Sequence, residues 1–232
     1  MTNVAARIQQ VNEKIAAACD RAKRQTSEVK LIVVTKSATP DQIKEVIDLG
    51  YRDLGENRVQ QLKKVSEDIE TLSLKTPINW HMIGHLQRNK VRTVLPMITM
   101  VHSVDTLRLA EEINAAATKL QTKTRILLQV NAGEEPQKYG VPVGAAIHLA
   151  EQFETMPHVQ LCGLMTLGPL THDTDAIRKC FVRMRELFME IRASRVVGPH
   201  FNQLSMGMSH DYEIAIEEGA TMLRIGSAIF AS

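Results

Sequence analysis

A lysine at the end of an apolar run is the residue in this sequence best placed to do chemistry. Residues 31–34 are apolar and mostly β-branched, and Lys36 follows them shortly before Pro40. Such a run is typical of a buried strand in a parallel sheet, which a proline does not continue. Lys36 then either reaches water past the strand end or presents an amine whose pKa desolvation lowers, ready to form a Schiff base with a carbonyl. The residues that the fold places beside it decide between these interpretations.

The elements that position this lysine alternate between strand and helix. Eight strand-like segments occur, each but the last followed by a helical pattern, and an amphipathic helix with apolar residues at helical spacing from Val4 to Ala18 comes first. This alternation predicts one domain over residues 1–232, a single (β/α)8 TIM-type barrel. A doubly wound open sheet is the alternative fold, but the GxGxxG turn is missing after every strand.

Capping and breaking residues predict where individual helices lie. Asp105 is the predicted cap of the helix that follows the fourth strand, and Pro142 is predicted to start the helix that follows the fifth. Two further helices are predicted over residues 58–72 and 89–95.

Composition excludes several classes of function. The 232 residues are 44% hydrophobic and 23% charged with a net charge of +2, and the two signs of charge are interleaved, which predicts neither a nucleic-acid nor a membrane partner. The three cysteines are far apart and form no CxxC pair, as expected for reduced thiols. The sequence has no signal-peptide pattern and no apolar run near the roughly 20 residues of a membrane span, so we expect a cytoplasmic protein.

Polar residues collect where the predicted strands end. In barrels of this type the C-terminal strand ends meet at one mouth, where function lies. The residues at these positions are Lys36, Asn57, Gly84, His85, Ser103, Asn131, Thr166, Ser205, Ser209, Gly226 and Ser227. Glu56 is the only acid among the strand ends, so the paired carboxylates of a glycosidase are absent.

The loops after the last two strands have the character of an anion site. Small residues from Ser205 to Ser209 precede a predicted helix start, where backbone N–H groups and the helix dipole favour an anion, and Gly226 allows a close approach to a ligand. Barrels often bind phosphate in these two loops. Each feature also has a plain structural interpretation, because Ser209 could serve only as a helix cap and Gly226 only in a turn.

An arginine in the last strand completes the set. Arg224 lies two residues before Gly226 and points either into the barrel mouth as a fixed cation or outward to solvent. Lysine, phosphate loops and inward arginine together suit pyridoxal 5′-phosphate (PLP), which has an aldehyde, a phosphate and a ring nitrogen. A sugar phosphate held on Lys36, as in lysine-dependent aldolases, is the rival ligand.

Here the sequence resembles the pyridoxal phosphate homeostasis proteins, a family similar to the barrel domain of alanine racemase. The segments that carry the resemblance span nearly the whole chain in order: residues 33–36 (VVTK), 55–60 (GENRVQ), 80–90 (WHMIGHLQRNK), 163–165 (GLM), 204–211 (LSMGMSHD) and 224–230 (RIGSAIF). Two departures are Ser227, where threonine is usual, and His210, where an acidic or polar residue is common; neither affects the lysine or the arginine.

The resemblance implies a role for each predicted site residue. Lys36 is the residue that attaches PLP, Asn57 and Met165 are cofactor contacts, and Arg224 lies near the pyridine nitrogen. The residues implied around the phosphate are Ser209, Gly226 and Ser227. Ser205 joins the predicted cofactor-binding set from the end of the seventh strand.

The resemblance also bears on whether the protein is an enzyme. A racemase needs acid–base groups on both faces of the substrate carbon, and in the racemase relatives the second base comes from another domain and a partner subunit. The sequence stops just after strand eight, and nothing in it places Lys138, Tyr139 or His210 in that role. We therefore expect a monomer that holds PLP and delivers it to apo-enzymes. An amino-acid racemase and a lysine-dependent aldolase remain the alternatives.

Two histidines suggest a metal site that the pattern does not support. His81 and His85 are four residues apart, but on a strand that spacing does not make two side chains converge, and HExxH is absent. No metal is predicted.

Overall fold

Eight parallel strands close into a barrel in chain order, as the alternation predicted. The computed structural model of the chain describes residues 4–70 and 77–231. Pairing of β1 with β8 closes the barrel, and every neighbouring pair is parallel. The strands are β1 (Lys30–Val34), β2 (Asp53–Glu56), β3 (Asn79–Met82), β4 (Met100–Val104), β5 (Thr124–Gln129), β6 (Val159–Met165), β7 (Gln203–Ser205) and β8 (Met222–Ile225).

Helices precede, connect and follow these strands. Within the described residues they are α1 (Val4–Arg21), α2 (Pro40–Asp48), α3 (Val59–Glu70), α4 (Val91–Val94), α5 (Leu107–Lys119), α6 (Ala146–Glu154), α7 (Thr174–Ala193), α8 (Tyr212–Glu217) and α9 (Ser227–Phe230). The predicted end of α3 at Leu72 lies outside the described residues. None of these helices combines the length and the apolar character that crossing a membrane would require.

Several predicted helix limits are wrong, and the cause is local chemistry. The helix expected over residues 89–95 is reduced to the four residues of α4, and Pro96 lies in the 3₁₀ turn that follows it, because proline lacks the N–H that a helix interior needs. Asp105 does not cap α5. That cap is Thr106, whose side-chain oxygen accepts a hydrogen bond from the N–H of Leu109 at 3.2 Å.

Two more differences lie near the ends of elements. Pro142 leads into a 3₁₀ turn, Val143–Ala145, and α6 begins only at Ala146. The short helix α9 follows β8, although no helical pattern was predicted there. This helix begins with Ser227, so it forms part of the barrel mouth.

The two faces of the sheet belong to different apolar clusters. Val33 and Leu223 pack in a large cluster that includes the buried faces of the helices, whereas their neighbours Ile32 and Met222 do not. The second cluster contains only strand residues: Ile32, Met100, Leu127, Cys162, Met165 and Met222. Side chains alternate between the faces of a strand, so this second cluster fills the barrel interior.

A glycine permits the close pairing of β6 with β7. Gly163 has a φ of +152°, and a Cβ built on it would lie 1.7 Å from the backbone oxygen of Gln203. No other residue fits without moving a strand, and the register of β6 against β5 shifts beside this position. Gly163 therefore helps to hold Met165 and Ser205 as neighbours at the barrel mouth.

Candidate functional site at the barrel mouth

The first and last strands bring Lys36 beside the loop after β8. Val33 pairs with Ile225, and a Cβ built on Gly226 would lie only 2.8 Å from the backbone oxygen of Val34. Lys36 is two residues beyond Val34, at the same end of the barrel. The predicted lysine and the predicted glycine loop therefore flank one mouth.

Lys36 itself is exposed, in the turn that follows β1. The strand ends at Val34 and the next residue, Thr35, is fully buried, with its N–H bonded to the backbone oxygen of Gly55 at 3.1 Å. The interpretation of Lys36 as an amine desolvated by its own strand is therefore wrong, because the dry part of the chain stops before it. The amine is free to meet a ligand that enters the mouth.

A buried carboxyl group lies close to this lysine. Glu56 is fully buried at the end of β2, where its Oε1 accepts a hydrogen bond from the Thr35 hydroxyl at 2.5 Å. Burial raises the pKa of Glu56, and the positive charge of Lys36 is among the interactions that oppose this rise. Within the described residues its Oε2 is buried without a hydrogen-bond partner.

The two loops predicted to bind an anion are joined by a hydrogen bond. The Ser209 hydroxyl accepts from the backbone N–H of Ala228 at 3.1 Å, which connects the loop after β7 to the first turn of α9. Ser209 is not the cap of α8, because Asp211 occupies that position. The structure therefore brings Ser209, Gly226 and Ser227 together, with Ser227 exposed.

Asp211 fixes the shape of the loop that carries Ser209. Its Oδ1 accepts a hydrogen bond from the backbone N–H of Met208 at 2.5 Å, and the residue is 2% exposed. Burial raises the pKa of Asp211, while the positive charges of His210 and Arg224 act in the opposite direction. His210 itself is exposed, with its Nε2 3.3 Å from Asp211 Oδ2.

Arg224 points into the barrel, which settles the choice that the sequence left open. It is 4% exposed and donates hydrogen bonds to the Ser205 hydroxyl at 2.5 Å and to the backbone oxygen of Thr166 at 2.7 Å. These acceptors lie at the C-terminal ends of β7 and β6. Burial lowers the pKa of Arg224 to about 10, so the guanidinium stays charged at neutral pH.

The remaining predicted residues also lie at strand ends. Asn57 follows β2 directly and is partly buried, and Gly84 approaches it so closely that a Cβ there would lie 2.2 Å from the Asn57 backbone oxygen. Met165 is the last residue of β6 and belongs to the cluster inside the barrel. Both positions therefore border the mouth.

Two side chains of the long loop after β5, Lys138 and Tyr139, already contact other residues of the protein. Lys138 donates to Glu135 Oε1 at 2.5 Å and to the backbone oxygen of Gly168 at 2.7 Å. Tyr139 is 59% exposed and stacks on His85, with ring centroids 4.2 Å apart. Lys138 is thus held by its neighbours, and Tyr139 packs against a residue of the loop after β3.

The two histidines four residues apart in sequence do not meet. His81 is buried inside the barrel, where it contacts His102, whereas His85 is exposed in the loop after β3, with its Nδ1 3.7 Å from Asp105 Oδ2. Across the described residues no group of three or more His, Cys, Asp or Glu side chains is placed to hold a metal ion.

The sequence analysis missed His102, which is fully buried and lies 3.0 Å from the predicted site residue Ser205. It comes two residues after Met100, so it shares the inner face of β4. A histidine two residues after a methionine, in a strand whose other residues except Ser103 are apolar, was the signal available. Its partner comes from a strand about a hundred residues later in the chain, and the spacing of residues does not reveal such a pair.

Comparison with known proteins defines the class first. The family model described as the alanine racemase N-terminal domain matches residues 11–232. A pyridoxal phosphate homeostasis protein of Aquifex aeolicus (strain VF5) is 40% identical over 229 residues, which cover 98% of this chain and 97% of that protein. The chain belongs to the pyridoxal phosphate homeostasis protein family, within the alanine racemase N-terminal domain class.

Solved structures agree with this assignment. PipY of Synechococcus elongatus PCC7942, solved with PLP bound, is 30% identical with a TM-score of 0.83, and the match covers 98% of this chain and all of PipY (100%). A protein of unknown function from Bifidobacterium adolescentis is 35% identical with a TM-score of 0.90, covering 98% of this chain and 94% of that one.

Proposed function

We propose that this protein binds PLP at the barrel mouth, holds it through Lys36 and serves in PLP homeostasis. Support comes from the names of its relatives and from PipY, which binds PLP and matches nearly the whole chain. The observation that carries the proposal for this chain is the shared mouth. The close approach of Gly226 to Val34 and the hydrogen bond between Ser209 and Ala228 support the proposal, because they bring the proposed amine and the proposed anion-binding loops to one mouth.

The groups at the mouth fit the chemistry of PLP. Its phosphate would meet Ser209 and the exposed Ser227 at the start of α9, where Gly226 leaves room for a ligand. The ring nitrogen would face Arg224, and the aldehyde would lie at Lys36. Asn57 and Met165 would border the ring from β2 and β6.

When bound, PLP supplies an electrophilic aldehyde carbon. The Nζ of Lys36, exposed at the mouth, would be the amine that holds the cofactor at that carbon. The positive charge of Lys36 opposes the rise in the pKa of Glu56 that burial causes, so the two side chains lie close enough to interact.

Arg224 would tune the electronics of the cofactor ring. A guanidinium that stays charged keeps the facing ring nitrogen unprotonated, and an unprotonated ring withdraws electrons weakly. The names of the curated relatives support a carrier of PLP over the racemase and aldolase alternatives. The proposal includes delivery of PLP to apo-enzymes by a cytoplasmic monomer.

An absorption titration tests the proposal. We expect the protein to bind PLP with the visible band of a lysine-linked aldehyde, and Lys36→Ala to lose that band completely. Lys44→Ala is the matched control, because Lys44 is also exposed and pairs with its helical neighbour Asp48, 2.6 Å away. Persistence of the band in Lys36→Ala would refute the assignment of the lysine.

Two further assays address the alternatives. Incubation with single amino-acid enantiomers should give no inversion above a control of free PLP, whereas inversion would identify a racemase. Borohydride should trap PLP on the protein, whereas trapping of a sugar phosphate without bound PLP would identify an aldolase.

A further inference from the structure

Four hydrogen-bonding contacts run in series behind the predicted site. The Arg224 guanidinium donates to the Ser205 hydroxyl at 2.5 Å, and that oxygen lies 3.0 Å from Nδ1 of His102. The Nε2 of His102 is 2.9 Å from Nδ1 of His81, whose own Nε2 is 3.0 Å from Oδ1 of Asp53. These five residues, Arg224, Ser205, His102, His81 and Asp53, are called the interior chain below.

The interior chain crosses the barrel from one end to the other. Ser205 is the last residue of β7, at the mouth, and Asp53 is the first residue of β2, at the opposite end. There Asp53 Oδ1 also accepts from Lys30 Nζ at 3.1 Å. Because β4 and β7 are not neighbours in the sheet, the contact between His102 and Ser205 passes through the barrel interior.

The two ends of the interior chain fix the direction of every hydrogen bond. Arg224 is only a donor, so the proton of the Ser205 hydroxyl is free to go to Nδ1 of His102. An ionised Asp53 is only an acceptor, so Nε2 of His81 carries the hydrogen that it receives. If both rings are neutral, Nδ1 of His81 accepts from the Nε2–H of His102, and each ring carries its hydrogen on Nε2.

Electrostatics agree with two neutral histidines beside an ionised aspartate. Burial lowers the pKa of His81 and, well below its ordinary value, that of His102. The charges facing them are Lys30, Arg125 and Asp53 for His81, and Arg125 and Arg224 for His102, together with His81 itself.

Asp53 remains the anion at the end of the interior chain. Partial burial raises its pKa, but hydrogen bonds from His81 and Lys30 and the positive charge of Lys30 outweigh that effect, so the net shift is downward.

We propose that the interior chain is a positioning relay that holds Arg224 toward the mouth. With its proton committed to His102, the Ser205 hydroxyl presents a lone pair to the guanidinium and fixes its orientation. The relay transmits orientation and not a proton, because Arg224 keeps its charge. The consequence for ligand binding rests on the proposed function, in which Arg224 faces the ring nitrogen of PLP.

Nitrogen NMR of the unliganded protein tests the relay without any cofactor. At pH 7 we expect His81 and His102 to give the signals of neutral rings with the hydrogen on Nε2. A charged ring, or a hydrogen on Nδ1 of either residue, would overturn the proposed direction. This outcome does not depend on whether PLP binds.

Paired substitutions then test the effect on the mouth. His102→Leu removes the acceptor for the Ser205 proton, whereas His102→Asn places an amide oxygen near the position of Nδ1. We expect His102→Leu to weaken PLP binding about tenfold, the scale of one hydrogen bond, and to shift the absorption band of the bound ligand, while attachment at Lys36 persists. His102→Asn should restore most of both properties.

The control for general effects of losing a histidine is His148→Leu, since the His148 side chain is 72% exposed on α6. Wild-type affinity and spectrum in a folded His102→Leu variant would refute the relay. Should neither His102 variant fold, the NMR signals of the wild-type protein still decide the question. Failure of the wild-type protein to bind PLP would instead refute the proposed function and leave the NMR result unaffected.

Discussion

The inner and outer faces of the barrel are built from the same strands but have opposite chemistry. Outward residues such as Val33 and Leu223 pack with the helices in one large apolar cluster. Six inward residues form an apolar cluster, and polar residues such as His102 and Arg224 lie on the same face. Because side chains alternate along a strand, stability and function are encoded at alternate positions. The two faces should therefore respond differently to substitution.

The largest expected effect comes from the outer face. Phe153 in α6 is fully buried in the outer cluster, so Phe153→Ala should lower the free energy of unfolding by about 3–5 kcal/mol through lost burial and a cavity. Denaturant unfolding measures this loss. The folded fraction should bind PLP with unchanged affinity, and weaker binding by folded protein would show that the two faces are not independent.

A smaller effect is expected from the inner face, as a dependence of stability on pH. In the unfolded chain a histidine has a pKa of about 6.5, whereas burial lowers the pKa of His81 and His102 in the folded protein. Below pH ~6.5 the unfolded state therefore binds more protons. As the pH is lowered below this value, the free energy of unfolding should decrease by up to about 1.4 kcal/mol per pH unit for each histidine, until the pKa of that histidine in the folded protein is reached.

Unfolding measured between pH 7 and pH 5 checks this slope. The double variant His81→Asn/His102→Asn should flatten it, and His148→Asn should leave the contribution of the buried pair in place. The lowered pKa of Asp53 acts in a different window, since its stabilisation is lost only as the pH falls below about 4. An equal slope in the wild-type protein and the double variant would contradict the buried neutral state of the histidines.

The sequence was sufficient for the parts of the molecule that depend on local pattern. Repeated alternation of strand and helix predicted the closed barrel, and residues at strand ends predicted the neighbours at the mouth, among them Lys36 and Gly226. One of the errors in helix limits arose where two adjacent residues were both suited to cap a helix. At α5 the cap is Thr106, although Asp105 was an equally good candidate by residue type.

The sequence did not show which side chains on different strands contact each other, because those contacts depend on how the strands are aligned in the barrel. Arg224 could have pointed either way until its acceptors Ser205 and Thr166, on other strands, were placed. His81 invited comparison with His85 because they are close in sequence, yet its partner is His102 on the next strand. The exposure of Lys36 depended on where β1 ends, and an apolar run does not mark that point within two residues.

A crystal structure of the protein with PLP tests the central claim most directly, that Lys36 and the anion site share one mouth. We predict density continuous between Lys36 Nζ and the ligand, the phosphate beside Ser209 and Ser227, and the ring nitrogen facing Arg224. A free Lys36 with the ligand elsewhere, for example in the crevice between α2 and α3 that Pro40 and Lys64 help to line, would contradict it.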